Sequence, residues 1–317
     1  MKSRFIILLL IICLSYQYNT YEASTLKSTS YEPDKDYDAS QPITDFNVEM
    51  IKYYSWFASY GYCTDSQIKN GECCGAYQVM KEWDIVDHAE INESGTFNFN
   101  WVILNSDKFQ KIIIAVPGTR EGTQLIYEAV YSGLVKYNDD EPFKMSNYFL
   151  SLFTKSKNGL FNERNLNFIK NKGYQVIVTG HSLGGAIASI ISFAVKYEKL
   201  FDNDLTLITY GQPRTGNYYF ADYVTRNVDR IFRIVRKYDV VPNIPPWIVF
   251  NDNYWHIGGM YVLNAEMNEF TQCGYYEYEA DTLTGDCKYE ISISDLLSYH
   301  TYYFNPDTKL SCRCAGE

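Results

Sequence analysis

Between Tyr174 and Tyr197 an apolar run, a glycine-flanked serine and a long stretch of small and apolar residues follow one another without a break. Val176-Ile177-Val178 shows no polar alternation, which is the pattern of a strand buried on both faces. Gly180-His181-Ser182-Leu183-Gly184 comes next, and Gly185-Ala186-Ile187-Ala188 continues into a pattern that predicts a helix over 182–197. A strand that becomes a helix within one residue needs a strained corner, and glycine on either side removes the Cβ atoms that would collide there. Such a corner lifts the serine hydroxyl above the sheet, at the positive end of the helix. The pentapeptide therefore fits a G-x-S-x-G nucleophile elbow, with Gly180, His181 and Gly184 shaping the turn around Ser182. A turn of small residues with an incidental serine accounts for neither the strand before it nor the helix after it.

Other short apolar runs predict strands at Trp101–Leu104, Ile112–Val116, Leu205–Tyr210 and Arg230–Val235, beside the run Tyr174–Thr179. Helical stretches fall at Phe161–Lys172, Ser182–Tyr197 and Phe220–Asn227. Strands alternating with helices predict an α/β fold, with a mixed, mostly parallel central sheet flanked by helices.

A serine hydroxyl needs a base to take its proton, and the base needs a carboxylate to orient it. On an elbow of this kind the chain order is Ser, then Asp or Glu, then His. The chain has four histidines. His88 precedes the serine and His181 lies in the elbow, so His256 and His300 remain, and the residues alone do not choose between them. Asp239 follows the strand at Arg230–Val235, in a loop of the kind that carries catalytic groups in such sheets. On pattern alone it is equally a loop acid paired with Arg236 or Lys237. Leu183, the residue after the nucleophile, offers a backbone N–H to a developing oxyanion.

The 317 residues are 46% hydrophobic, enough for a substantial core, and the formal net charge is -10. That balance argues against a nucleic-acid partner and against electrostatic docking on anionic membranes, and leaves neutral lipid interfaces open. Lys2, Arg4 and the apolar run Phe5–Leu14 read as a signal peptide, too short to span a bilayer. The expected organisation is a signal peptide over 1–23, a flexible leader or pro-segment over 24–45 and one domain over 46–317. Secretion, or delivery to a digestive vacuole, follows from it, with no transmembrane segment and no protein partner implied. Of eight cysteines, Cys13 lies in the signal segment. The other seven have no histidine at zinc spacing, so disulfides are expected and a metal is not.

Several ordered segments together resemble the fungal-type, or class 3, lipases. They are Val178-Thr-Gly-His-Ser-Leu-Gly-Gly-Ala186, Tyr210-Gly-Gln-Pro-Arg-Thr-Gly-Asn217 and Asp239-Val-Val-Pro-Asn-Ile-Pro-Pro246. His256-Ile-Gly-Gly and His300-Thr-Tyr-Tyr-Phe304 match more loosely. The resemblance covers roughly 46–314 and implies an α/β-hydrolase fold with a triad of Ser182, Asp239 and His300. It makes His256 structural and puts His300 after a short helix at Ser294–Ser298. It implies Thr119, after Gly118, as the second oxyanion donor beside Leu183, and a lid helix over 121–135. It further implies disulfides Cys63–Cys312 and Cys273–Cys287, leaving Cys73, Cys74 and Cys314 unassigned. The sequence departs from the family at Pro117, where Arg is usual, and around Lys144–Tyr148, where a His-x-Gly-Phe segment is replaced. The implied activity is hydrolysis of lipid carboxylic esters through an acyl-enzyme, triacylglycerol first, at an oil–water interface and without a cofactor. A phospholipase or a polar-lipid or feruloyl-type esterase would share the triad, and a non-catalytic lipid-binding protein would share the fold.

Overall fold

The computed structural model describes residues 24–27, 39–60, 62, 79–93, 97–118, 132–246, 248–249, 252–273, 287 and 298–304. Thr119, the expected lid from 121 to 131, Cys63, Cys73, Cys74, Cys312, Cys314 and the expected signal peptide lie outside them.

The centre of the structure is a sheet of nine strands. In chain order they are β1 (Ser24–Lys27), β2 (Asp84–Glu93), β3 (Phe97–Ser106), β4 (Lys111–Val116), then β7 (Gln175–His181), β8 (Leu205–Tyr210), β9 (Arg230–Arg236), β12 (Met260–Leu263) and β13 (Glu269–Gln272). Two small hairpins, β5 (Leu134–Lys136) with β6 (Lys144–Ser146) and β10 (Ile248–Val249) with β11 (Asp252–Asn253), stand outside it. The order across the sheet is β1-β13-β12-β9-β8-β7-β4-β3-β2. The five central strands, β12 to β4, run parallel, and β3 and β13 oppose them. This is the mixed, mostly parallel sheet of the sequence reading.

Parallel central strands carry helices on both faces and so need apolar residues on both. In β4, Ile112, Ile114 and Val116 enter one core while Ile113 and Ala115 enter the other. Val176 and Val178 of β7 divide from Ile177 in the same way. The first core is closed by α2 (Asn147–Leu160), α3 (Glu163–Lys172), α4 (Leu183–Tyr197) and α5 (Tyr218–Asn227), the second by α1 (Val48–Tyr60). A four-residue helix, α6 (Ser298–Thr301), lies near the C-terminus.

Several boundaries differ from expectation. Phe161 caps the end of α2, so α3 begins at Glu163, held by the Asn162 side chain accepting from the Asn165 N–H. Similarly α5 begins at Tyr218, capped by Asn217. Leu134 and Val135, the end of the expected lid helix, belong instead to strand β5 and pair with Ser146 and Met145. His300 lies within α6, and residues 294–297 of the helix expected before it are outside the described residues. The packed body also begins before Phe46. Ala39 and Ile43 are buried, and the buried Lys111 ammonium donates to the carbonyls of Ala39 and Gln41. Ser24–Lys27 pairs with β13 at the sheet edge. Cys273 and Cys287 form a disulfide, as the resemblance implies.

Candidate active site

The C-terminal ends of β4, β7, β8 and β9 lie side by side, so the loops after them gather at one edge of the sheet. Those loops contain Pro117-Gly118, Ser182, Gly211 and Asp239.

Ser182 is the corner between β7 and α4. Its backbone has φ +60° and ψ −126°, a conformation rare for a residue with a side chain. Neighbouring contacts hold it there. Its N–H donates to the Tyr210 carbonyl at 2.8 Å, and its own carbonyl accepts from Gly185 at 3.0 Å. The flanking glycines are needed for closeness rather than for their angles. A Cβ on Gly180 would lie 2.4 Å from the Gly184 backbone, and one on Gly184 would lie 2.2 Å from the Val116 carbonyl oxygen. Leu183 opens α4, where first-turn N–H groups lack intrahelical partners.

Asp239 is fully buried. Its Oδ2 lies 2.9 Å and its Oδ1 3.0 Å from His300 Nδ1. A carboxylate oxygen accepts, so Nδ1 carries the proton and a neutral His300 presents its lone pair at Nε2. His300 Nε2 is buried with no hydrogen-bond partner among the described residues. Asp239 also accepts from the Tyr303 hydroxyl at 2.6 Å and from the Val241 N–H at 2.9 Å. Its alternative partners, Arg236 and Lys237, do not take it. The Arg236 guanidinium donates instead to the carbonyls of Tyr302 and Ala265, and lies over the Tyr299 ring. Arg236 thereby grips both sides of His300.

His181 links the serine to the histidine. Its ring stacks on that of His300 with centroids 4.5 Å apart, and its Nε2 donates to the His300 carbonyl at 2.9 Å. Burial, and then the proximity of His300, holds its pKa well below the ordinary histidine value, so it stays neutral. His256 lies elsewhere, with Nε2 donating to the Pro242 carbonyl at 2.7 Å. Burial first, then Arg233 and Arg214, depress its pKa strongly. Among the described residues no three or more His, Cys, Asp or Glu side chains gather closely enough to hold a metal ion.

The model of the family described as lipase (class 3) matches residues 113–249, a span from β4 through the elbow and Asp239 to β10. Over that span the chain is similar to the class 3 lipases. A lipase of Rhizopus niveus is 34% identical over 209 residues, 64% of this chain and 52% of its own length. A lipase of Rhizomucor miehei is 27% identical over 299 residues, 90% of this chain and 77% of its own. The chain thus spans about half the length of the Rhizopus relative. The structure of lipase II from Rhizopus niveus superimposes with a TM-score of 0.69 at 25% identity, covering 84% of this chain and 96% of that one. A triacylglycerol lipase described as having a serine protease triad as its catalytic centre superimposes equally well, at 25% identity over 83% of this chain and 96% of that one.

Three groups of this site had no role in the sequence reading. Gly211 has φ +57°, and a Cβ there would lie 2.8 Å from Asp239 Oδ2 and 2.9 Å from His300 Nδ1. It is glycine because the Asp239–His300 pair occupies the space of a side chain. Its place in Tyr210-Gly-Gln-Pro was visible, but its reason is a contact made across the fold. Tyr303 was part of a matching segment without a function attached. Tyr62 carried no signal at all, and its hydroxyl lies 2.7 Å from His181 Nδ1.

Proposed function

We propose that this chain hydrolyses carboxylic esters of lipids, triacylglycerols first, through an acyl-enzyme on Ser182. The single observation that carries the proposal is the buried Asp239–His300 pair with an uncommitted His300 Nε2, at the sheet edge where Ser182 is held at positive φ.

In this reading Ser182 Oγ attacks the ester carbonyl carbon while His300 Nε2 takes the hydroxyl proton. The carbonyl π pair moves onto oxygen, where the N–H groups of Leu183 and Thr119 receive it. Collapse of that intermediate breaks the bond to the alcohol, which leaves with the proton from His300. Water then repeats the attack on the acyl-serine and frees the fatty acid. Asp239 keeps His300 in the Nδ1–H tautomer and offsets the charge of the imidazolium. Tyr303 and Val241, by donating to both carboxylate oxygens, keep Asp239 aimed. The lipid names of the relatives support the substrate class, and the fungal lipases among them, with the leader reading, support action outside the cell or in a digestive compartment at an oil–water interface.

The test is release of fatty acid from a triacylglycerol emulsion and, in parallel, from a phospholipid dispersion, by wild type and Ser182→Ala. Triacylglycerol hydrolysis lost in the variant is expected. Release from phospholipid alone would move the substrate to polar lipids, and release from neither would overturn the proposal.

A further inference from the structure

We infer that Tyr62 and His181 form a brace that ties the backbone of His300 to the loop at Gly118, so that both sides of the Ser182 site are set by one hydrogen-bonded chain. The inference rests on the proposed hydrolase activity.

The chain of contacts has a single direction. The His300 carbonyl can only accept, so His181 Nε2 carries its proton. A neutral imidazole then has an acceptor at Nδ1, and the Tyr62 hydroxyl, 2.7 Å away, is the donor to it. The Tyr62 oxygen remains able to accept, and it lies directly against the Gly118 backbone. A Cβ on Gly118 would lie 2.1 Å from the same oxygen, which shows how closely the two are pressed together. Tyr62 and His181 are both buried, so water does not compete for these bonds. Gly118 precedes Thr119, His181 precedes Ser182, and His300 is the proposed base. One phenol hydroxyl therefore couples the loop of the proposed oxyanion donor to the elbow, and the elbow histidine couples to the base through both its stacked ring and its N–H. Neither Tyr62 nor His181 accepts the Ser182 proton in this arrangement. Both are positioning residues.

The test uses the full chain, a soluble p-nitrophenyl ester and five variants, with circular dichroism to confirm folding. Tyr62→Phe is expected to lower kcat about tenfold while KM stays within about twofold, because misplacing a base costs turnover rather than binding. His181→Phe keeps the ring packing but loses both bonds, and should lower kcat by about 10²-fold. His181→Gln is expected to recover most of that loss, since its amide N–H can still reach the His300 carbonyl. The pair Tyr62→Phe with His181→Phe should be no slower than His181→Phe alone, as members of one chain do not add. Wild-type kcat in Tyr62→Phe, or a loss confined to KM, would overturn the brace. If His181→Phe does not fold, Tyr62→Phe alone decides. Inert wild type, or full activity in Ser182→Ala, would overturn the hydrolase reading and the brace with it, whereas normal Tyr62→Phe beside a dead Ser182→Ala overturns the brace alone.

Discussion

His256 and His300 are both buried histidines downstream of the elbow, and both use one ring nitrogen in a short hydrogen bond. Their surroundings have opposite charge. His300 donates from Nδ1 into the Asp239 carboxylate. His256 donates into the neutral Pro242 carbonyl, where burial and then two buried arginines penalise any added positive charge. Arg214 and Arg233 also knit the local backbone, donating to the carbonyls of Asn243, Pro245 and Ile257. In the proposed mechanism the first region accepts a proton and returns it, while the second keeps its histidine neutral. The charge facing a buried histidine, more than its burial, separates the proposed base from a structural residue.

The strongest way to break this contrast is to exchange the acids and bases within each region. Asp239→Asn and His300→Gln should each lower kcat by on the order of 10³–10⁴ with folding intact. His256→Gln should leave kcat within about tenfold and lower the melting temperature instead. Steady-state kinetics beside thermal melts separate the two outcomes, and equal kinetic losses at both histidines would erase the distinction. A sharper probe leaves every ionisable group in place. Gly211→Ala introduces a Cβ into the Asp239–His300 contact at a positive φ, and should lower kcat by about 10²-fold. The smallest effect is on stability against pH. For His181 and His256 the folded pKa lies below the unfolded one, so the unfolded chain binds more protons in acid. Their contribution is complete above about pH 6.5 and declines as pH falls below it, by up to about 1.4 kcal/mol per pH unit for each proton taken up. Denaturant titrations between pH 7 and 5 should show this slope, and His256→Gln should make it shallower.

The sequence was most legible where local pattern and burial coincide. The strands β4, β7, β8 and β9 are apolar runs, and the elbow is a run with glycines at a fixed spacing, so each announced itself within a short window. The antiparallel flanks did not. In β13, Glu269-Phe270-Thr271-Gln272 is short and mostly polar, and it is a strand because β12 offers it an edge. The helix α1 buries nearly every turn, with Lys52, Ser55 and Ser59 among its buried residues, so it lacks the one-sided stripe that marks a helix. At the site, Ser182 was read from its neighbours in the chain, whereas the choice of His300 over His256 came only from family resemblance. Tyr62, Gly211 and Tyr303 act on groups that are distant in sequence: 119 residues separate Tyr62 from His181, and 64 separate Tyr303 from Asp239. Their types carry no sign of their partners.

The most direct test is the rate at which a fluorophosphonate labels the chain, followed by intact mass and by the modified peptide, in wild type, His300→Gln and His256→Gln. Labelling needs an activated serine and no particular lipid. The account predicts a single adduct on Ser182 that forms rapidly in wild type and in His256→Gln, and is nearly abolished in His300→Gln. An adduct on another residue, or labelling that survives in His300→Gln and fails in folded His256→Gln, would contradict it.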